Sequence, residues 1–169
     1  YKEKSILIIA TKLAVAQNFI RKVKTYIKSM PKWLLVPVIT ANNKQQVEFS
    51  NGSQIKAVPT SEDAGRSEAL SLLIVDEAAF VRNFDDLWMG LYPTLSTGGR
   101  AIILSTPNGV GGQYHELYTK AVLKENKFNP IKLMWDVHPE RGDEWFEKET
   151  KNMSKKQISQ ELLCDFSSS

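Results

Sequence analysis

Asp76 and Glu77 stand side by side directly after four apolar residues, Leu72-Leu73-Ile74-Val75. An apolar run without polar alternation predicts a strand buried on both faces of a parallel sheet. Carboxylates at the end of such a strand sit where α/β sheets hold their ligands. Nucleoside triphosphate hydrolysis needs this pair: Asp76 to hold Mg²⁺, usually through water, and Glu77 to polarise the attacking water. A Walker B strand with the extra glutamate of an ATP hydrolase has this form. The competing structural reading is a polar loop start or a helix cap. The run and its two carboxylates alone do not decide between them.

A second strand adds weight. Ala101-Ile102-Ile103-Leu104 leads into Ser105-Thr106-Pro107-Asn108. Helicase-like ATPases sense the γ-phosphate from a strand ending in hydroxyls and amides, one βα unit past Walker B. Ser105, Thr106 and Asn108 are therefore candidate phosphate sensors. Between the hairpin described below and the first carboxylate strand lies the polar loop Thr60–Ala69, which contains Gly65-Arg66. A guanidinium there could reach a γ-phosphate, since its fork matches phosphate oxygens. The alternative is a surface arginine paired with Glu62 or Asp63.

These residues need a scaffold, and the rest of the chain reads as an α/β fold. Ser5–Ala10 is a buried-type strand. Leu13, Ala16, Ile20, Val23, Ile27 and Met30 recur at helical spacing, predicting a helix from about Lys12 to Met30 that Pro31 stops. Lys12, Arg21, Lys22, Lys24 and Lys28 form its basic outer face, read as a solvated surface. Trp33–Thr40, interrupted by Pro37, reads as an edge strand or extended segment. Gln46–Ala57 alternates across Asn51-Gly52, a hairpin signal, expected as an insertion on the sheet rim. A short helix covers Asp85–Leu91, with Phe80, Phe84, Trp88 and Tyr92 expected in the core. Gly98-Gly99 turns the chain into the sensor strand. Gly109–Gly112 lets the chain leave that strand tightly, ahead of a helix from about Gln113 to Lys124. Phe128–Trp135 reads as a last strand. Helices follow at Asp143–Thr150 and Ser154–Leu163, the latter with a Ser154/Gln157 capping box.

The totals bound the answer. A chain of 169 residues suits one α/β domain. A net charge of +3 permits nucleic-acid contact without demonstrating it. The single cysteine, Cys164, excludes an internal disulfide framework and a cysteine zinc site, and its apolar neighbours predict a packed thiol. His115 and His138 lack metal-ligand spacing. No apolar run reaches membrane-span length and no signal peptide is visible, so a reduced cytoplasmic setting is the default. The start at Tyr1, close to the first strand, is expected to reflect a cut within a larger protein, and Phe166–Ser169 resembles the beginning of a linker.

The strings Leu72-Leu73-Ile74-Val75-Asp76-Glu77-Ala78-Ala79-Phe80 and Ile102-Ile103-Leu104-Ser105-Thr106-Pro107-Asn108-Gly109 together resemble the ATPase domain of the T4-like large terminase subunit of tailed phages. Gly65-Arg66-Ser67 and the Gln160-Glu161…Phe166 pattern resemble it too. The resemblance implies a P-loop NTPase core of the helicase-like, additional-strand kind, with a mainly parallel sheet, helices on both faces and an inserted β-hairpin. It implies ATP and Mg²⁺ as cofactors and a motor that drives double-stranded DNA into a procapsid. Expected partners are DNA, the portal protein, the small terminase subunit and further copies in a homo-oligomer, in the cytoplasm of an infected bacterial host. A nuclease domain would follow near Ser169. The chain departs from the family pattern in one respect: it contains no Gly-x-x-x-x-Gly-Lys-Ser/Thr, the loop that grips the phosphates. These residues by themselves are therefore expected to be inactive as an ATPase. In helicase-like ATPases the strand leading to that loop lies between the counterparts of Ala101–Leu104 and Phe128–Trp135. These two segments are thus expected to pair directly, to recruit another strand or to dimerise. Leu72–Val75 and Ala101–Leu104 should be parallel neighbours. The alternatives are a helicase-like ATPase piece acting outside packaging and a non-catalytic adaptor domain.

Overall fold

The computed structural model describes residues 2–31, 33–34, 37–60 and 69–169. The chain forms two compact units, Tyr1–Leu104 and Ser105–Ser169. The first is an α/β unit built on a mostly parallel sheet. Its strands are β1 (Ser5–Ala10), β2 (Ile39–Asn42), β3 (Gln46–Phe49), β4 (Gln54–Pro59), β5 (Leu72–Val75) and β6 (Arg100–Ile103). Their order is β2-β3-β4-β1-β5-β6. The pairs β4–β1, β1–β5 and β5–β6 are parallel, whereas β2–β3 and β3–β4 are antiparallel. The expected parallel pairing of the two apolar strands is thus present, with Leu72 opposite Arg100 and Val75 opposite Ile103.

Side-chain alternation along β1 splits the core into two layers. Ile8 and Ala10 join Val47 and Ala57 under Ala16 and Ile20 of helix α1 (Leu13–Ser29). Leu7 and Ile9 point the other way, in register with buried Leu73 and Val75 of β5. α1 ends where Met30 adopts extended backbone, φ −64° and ψ 137°, as the residue before a proline must. Helix α2 (Phe84–Leu91) opens with Asp85 and Asp86 in its first turn, where carboxylates favour the helix dipole. Phe84 and Trp88 are buried as expected, but Phe80 and Tyr92 are largely exposed. Gly99 is required for space: a Cβ there would lie 2.2 Å from the Leu70 carbonyl oxygen.

The hairpin forms as read, with Gly52 at φ 79° in its turn. Its placement corrects the sequence reading. β4 is not on the rim; it lies inside the sheet, parallel to β1 over Ser5↔Gln54 to Ala10↔Pro59. The rim on that side is β2, which begins at Ile39, where the Trp33–Thr40 segment was expected to be an edge. Alternation along Gln54–Pro59 marks a strand but not its partner. The small Ala57, fully buried, is what lets α1 pack over β4.

The second unit is helical. It contains α3 (Gly112–Val122), α4 (Asp143–Thr150) and a short α5 (Lys155–Gln157) that widens into a π-helical turn at Ile158–Leu162. The single helix expected over Ser154–Leu163 is therefore split, although its capping box is present: the Gln157 N–H donates to Ser154 Oγ at 3.2 Å. Rings do much of the packing. Phe166 meets Tyr114, His115 and Tyr118 with centroids 6.0, 4.9 and 5.5 Å away. Trp135 stacks on Trp145 at 6.1 Å. The last strand, Phe128–Trp135, does not form; the segment carries no ladder and Trp135 starts a 3₁₀ turn ending at Val137. Pro130 lacks a donor. Ile131 and Leu133, whose alternation suggested the strand, are 68% and 66% exposed. The direct pairing expected between this segment and Ala101–Leu104 is therefore not made, and β6 pairs with β5 alone among the described strands.

Candidate active site

All four parallel strands end at the same edge of the sheet, and the two carboxylates stand there. The ladder continues through Asp76, whose N–H donates to the Ile9 carbonyl at 2.9 Å. At Glu77 the backbone turns left-handed, φ 52° and ψ 41°. The next residue returns to the sheet, the Ala78 N–H donating to the Leu104 carbonyl at 3.1 Å. A non-glycine residue in this region costs about 1–2 kcal/mol. Here it is held by hydrogen bonds on both sides and by a 3₁₀ turn over Ala78–Phe80. The kink is what separates the two carboxylates: Asp76 remains half-buried, while Glu77 is exposed.

Asp76 alternates with Ile74, which packs against the α1 cluster, so it stands on the α1 face of β5. Burial raises its carboxyl above the ordinary aspartate range, and the neighbouring Glu77 charge adds to this. The Glu77 N–H and the more distant Lys22 oppose the shift. A cation beside this half-buried carboxylate and its neighbour would relieve both effects. Among the described residues no cluster of three or more acidic, histidine or cysteine side chains could hold a metal alone. Mg²⁺ at Asp76 would thus complete its shell with water and phosphate oxygens.

Glu77 has one partner that the sequence did not reveal. Thr11, just past β1, donates its hydroxyl to Glu77 Oε2 at 3.0 Å. Beside it the Thr60 N–H donates to the Ala10 carbonyl at 3.0 Å, bringing the end of β4 to the same place. A threonine at the end of an apolar strand was the only available signal, and it is too common to be informative without the register.

The remaining candidates are distributed differently. Arg66 lies outside the described residues. Ser105, Thr106 and Asn108 belong to the second unit, reached directly from Leu104. There the Ser105 carbonyl accepts from Tyr114 Oη at 3.1 Å, and the Gly109 N–H donates to Ser169 Oγ at 2.9 Å. Gly109, Gly111 and Gly112 all have positive φ, as a tight exit toward α3 requires. Cys164 donates its thiol to the Leu133 carbonyl at 3.4 Å, and burial raises its pKa, as befits a packed thiol. No described helix is long and apolar enough to cross a membrane.

Solved structures similar to this chain include phage proteins. The chain superposes on the large terminase ATPase domain of Thermus phage P74-26 with a TM-score of 0.72 and 22% identity, covering 98% of this chain and 77% of that one. The large terminase of a second, thermophilic bacteriophage, in complex with ADP, gives 0.76 at 11% identity, covering 99% and 42%. That same protein has been solved with ATP-gamma-S. The family model described as terminase large subunit, T4likevirus-type, N-terminal, matches residues 1–169. The chain belongs to the T4-type family of terminase large subunits, in its N-terminal part.

Proposed function

We propose that this chain carries the water-activating part of the ATPase site of a phage DNA-packaging motor, built on a P-loop NTPase core. Asp76 organises Mg²⁺ from the end of the Walker B strand. Glu77 orients the water that attacks the γ-phosphate. Arg66 supplies a guanidinium to that phosphate, and Ser105, Thr106 and Asn108 report its presence to the Gly109–Gly112 turn. The observation that carries this reading is the edge geometry: an exposed glutamate fixed by Thr11 at 3.0 Å beside a half-buried aspartate, at the C-terminal ends of parallel strands. Nucleotide-bound relatives of the same fold support ATP as the ligand. Residues 1–169 contain no phosphate-gripping loop, so in this reading another segment supplies it. In the working motor the partners are double-stranded DNA, the portal protein, the small terminase subunit and further copies of the large subunit, in the host cytoplasm.

The test is Glu77→Gln in the full-length protein, with nucleotide binding and phosphate release measured separately. Binding is expected to persist while turnover falls by about two to four orders of magnitude, the range of a general base. Near-normal turnover would remove Glu77 from the mechanism.

A further inference from the structure

Residues 105–109 carry the three candidate sensors and run into a turn where Gly109, Gly111 and Gly112 all have positive φ. Such a turn has many backbone states open to it, whereas a group that reads a phosphate must be held to within about half an ångström. The hold comes from the far end of the same unit. At the start of the stretch the Ser105 carbonyl accepts from Tyr114 Oη at 3.1 Å, and the Tyr114 ring lies against Phe166 with centroids 6.0 Å apart. At its end the Gly109 N–H donates to Ser169 Oγ at 2.9 Å, across 60 positions of sequence. The backbones come close as well: a Cβ on Gly109 would stand 3.7 Å from the Ser169 carbonyl oxygen. The Ser169 hydroxyl donates in turn to the Phe166 carbonyl at 3.1 Å. Phe166 also packs on His115 and Tyr118 of α3. Just before it the Asp165 N–H donates to the Ser159 carbonyl, and the Ser167 N–H and hydroxyl both donate to Asp165 Oδ1. Residues 166–169 are thus fixed by their own contacts where they meet Gly109.

We infer that residues 166–169 form a latch on the sensor turn. Ser169 and Phe166 are positioning residues for the groups that detect a γ-phosphate, the first through Gly109 and the second through Tyr114 and the Ser105 carbonyl. The inference rests on the sensor role proposed above for Ser105, Thr106 and Asn108. A segment that only closed the unit would be served by the Phe166 ring, which supplies the apolar contact. The Ser169 hydroxyl adds little to that contact. It takes a bond from the peptide plane that follows Asn108, and a planar peptide held at its N–H fixes the ψ angle of the residue before it. With the latch closed, the two ends of the sensor stretch are held by one segment. With it open, the glycine turn samples other backbone states and γ-phosphate detection is lost, while the rest of the nucleotide site is untouched.

The experiment uses the full-length protein and compares its affinities for Mg·ATP-gamma-S and Mg·ADP, with kcat and melting temperature measured alongside. The ratio of the two affinities reads γ-phosphate detection and cancels general damage to the site. Ser169→Ala should lower that ratio by about threefold to tenfold, the range of one hydrogen bond, with ADP affinity unchanged and kcat reduced by a similar factor. Ser169→Thr keeps the hydroxyl and should restore the ratio. Tyr114→Phe deletes only the donor to Ser105 and should act like Ser169→Ala. A Thr106→Ala, Asn108→Ala double variant is the direct control and should lower the ratio at least as far. If the control lowers the ratio and either Ser169→Ala or Tyr114→Phe leaves it unchanged, the latch is overturned and the sensor reading stands. Equal loss of affinity for both nucleotides, or a loss that only follows melting temperature, would reduce residues 166–169 to a structural closure and overturn it also. An unchanged ratio in the control would reject the sensor role itself, and the latch with it.

Discussion

The two units keep their order by different means. The first holds nearly all the buried apolar residues, including Ile9, Ile20, Leu73 and Val75 at 0% exposure. The second buries Ala121 and Leu162 but leaves Val122, Leu123, Ile131, Leu133 and Val137 more than half exposed. It relies instead on ring contacts around Phe166 and Trp135. Chemistry that needs sub-ångström placement belongs on the first kind of support, and the two carboxylates are there. The candidate sensors, which in this reading must change state with the nucleotide, sit in the more thinly packed unit, as elements that move generally do.

The sharpest way to break that comparison is paired truncation. Ile9→Ala removes a fully buried side chain from the central strand and should cost about 2–5 kcal/mol in chemical unfolding. Leu133→Ala, at an exposed position, should stay within about 0.5 kcal/mol. Equal losses would show that the second unit is supported as firmly as the first.

What could be read from the sequence followed the same division. Ser5–Ala10, Leu72–Val75 and Ala101–Leu104 were visible because apolar runs on a parallel sheet are unbroken. Helix α1 was visible because its period is regular over its whole length. The position of β4 was not, because an Asn-Gly hairpin is a local signal while its pairing with β1 joins residues far apart in sequence. Phe128–Trp135 misled for a related reason: alternating Ile131, Leu133 and Trp135 satisfy the strand pattern without a partner to complete it. Asp76 and Glu77 could be named from type and position. Thr11 could not, since its hydrogen bond to Glu77 spans 66 positions and exists only once β1 and β5 are in register.

A smaller effect sharpens the picture at the edge that carries the two carboxylates. Thr11→Val keeps the shape and deletes the donor to Glu77. Turnover should fall by about tenfold, equivalent to ~1.4 kcal/mol, with nucleotide affinity unchanged. Thr11→Ser should restore most of it. A purely structural role would lower melting temperature and leave kcat alone, so the two measurements together decide.

The smallest effect concerns Asp76. Its pKa is raised by burial and by Glu77, so the folded state prefers the protonated form. The sign follows: this group favours folding fully at pH values below its unfolded pKa, and that contribution is lost as pH rises through the higher folded value. Without nucleotide at neutral pH, Asp76→Asn should therefore raise the melting temperature, by about 1–3 °C, and the gain should vanish on acidification. An unchanged melting temperature at neutral pH would mean that solvent already relieves the carboxylate.

The left-handed backbone at Glu77 sets two selections against each other. Glycine, and to a lesser degree asparagine, adopts φ 52° with less strain than any other residue type, so the fold alone would favour them. In the proposed mechanism, only chemistry calls for a carboxylate there. In a library randomised at position 77, clones sorted for soluble expression alone should drift toward glycine. Clones sorted for packaging should return to glutamate. Codon frequencies in the two pools would then show how much stability this family gives up for activity at a single residue.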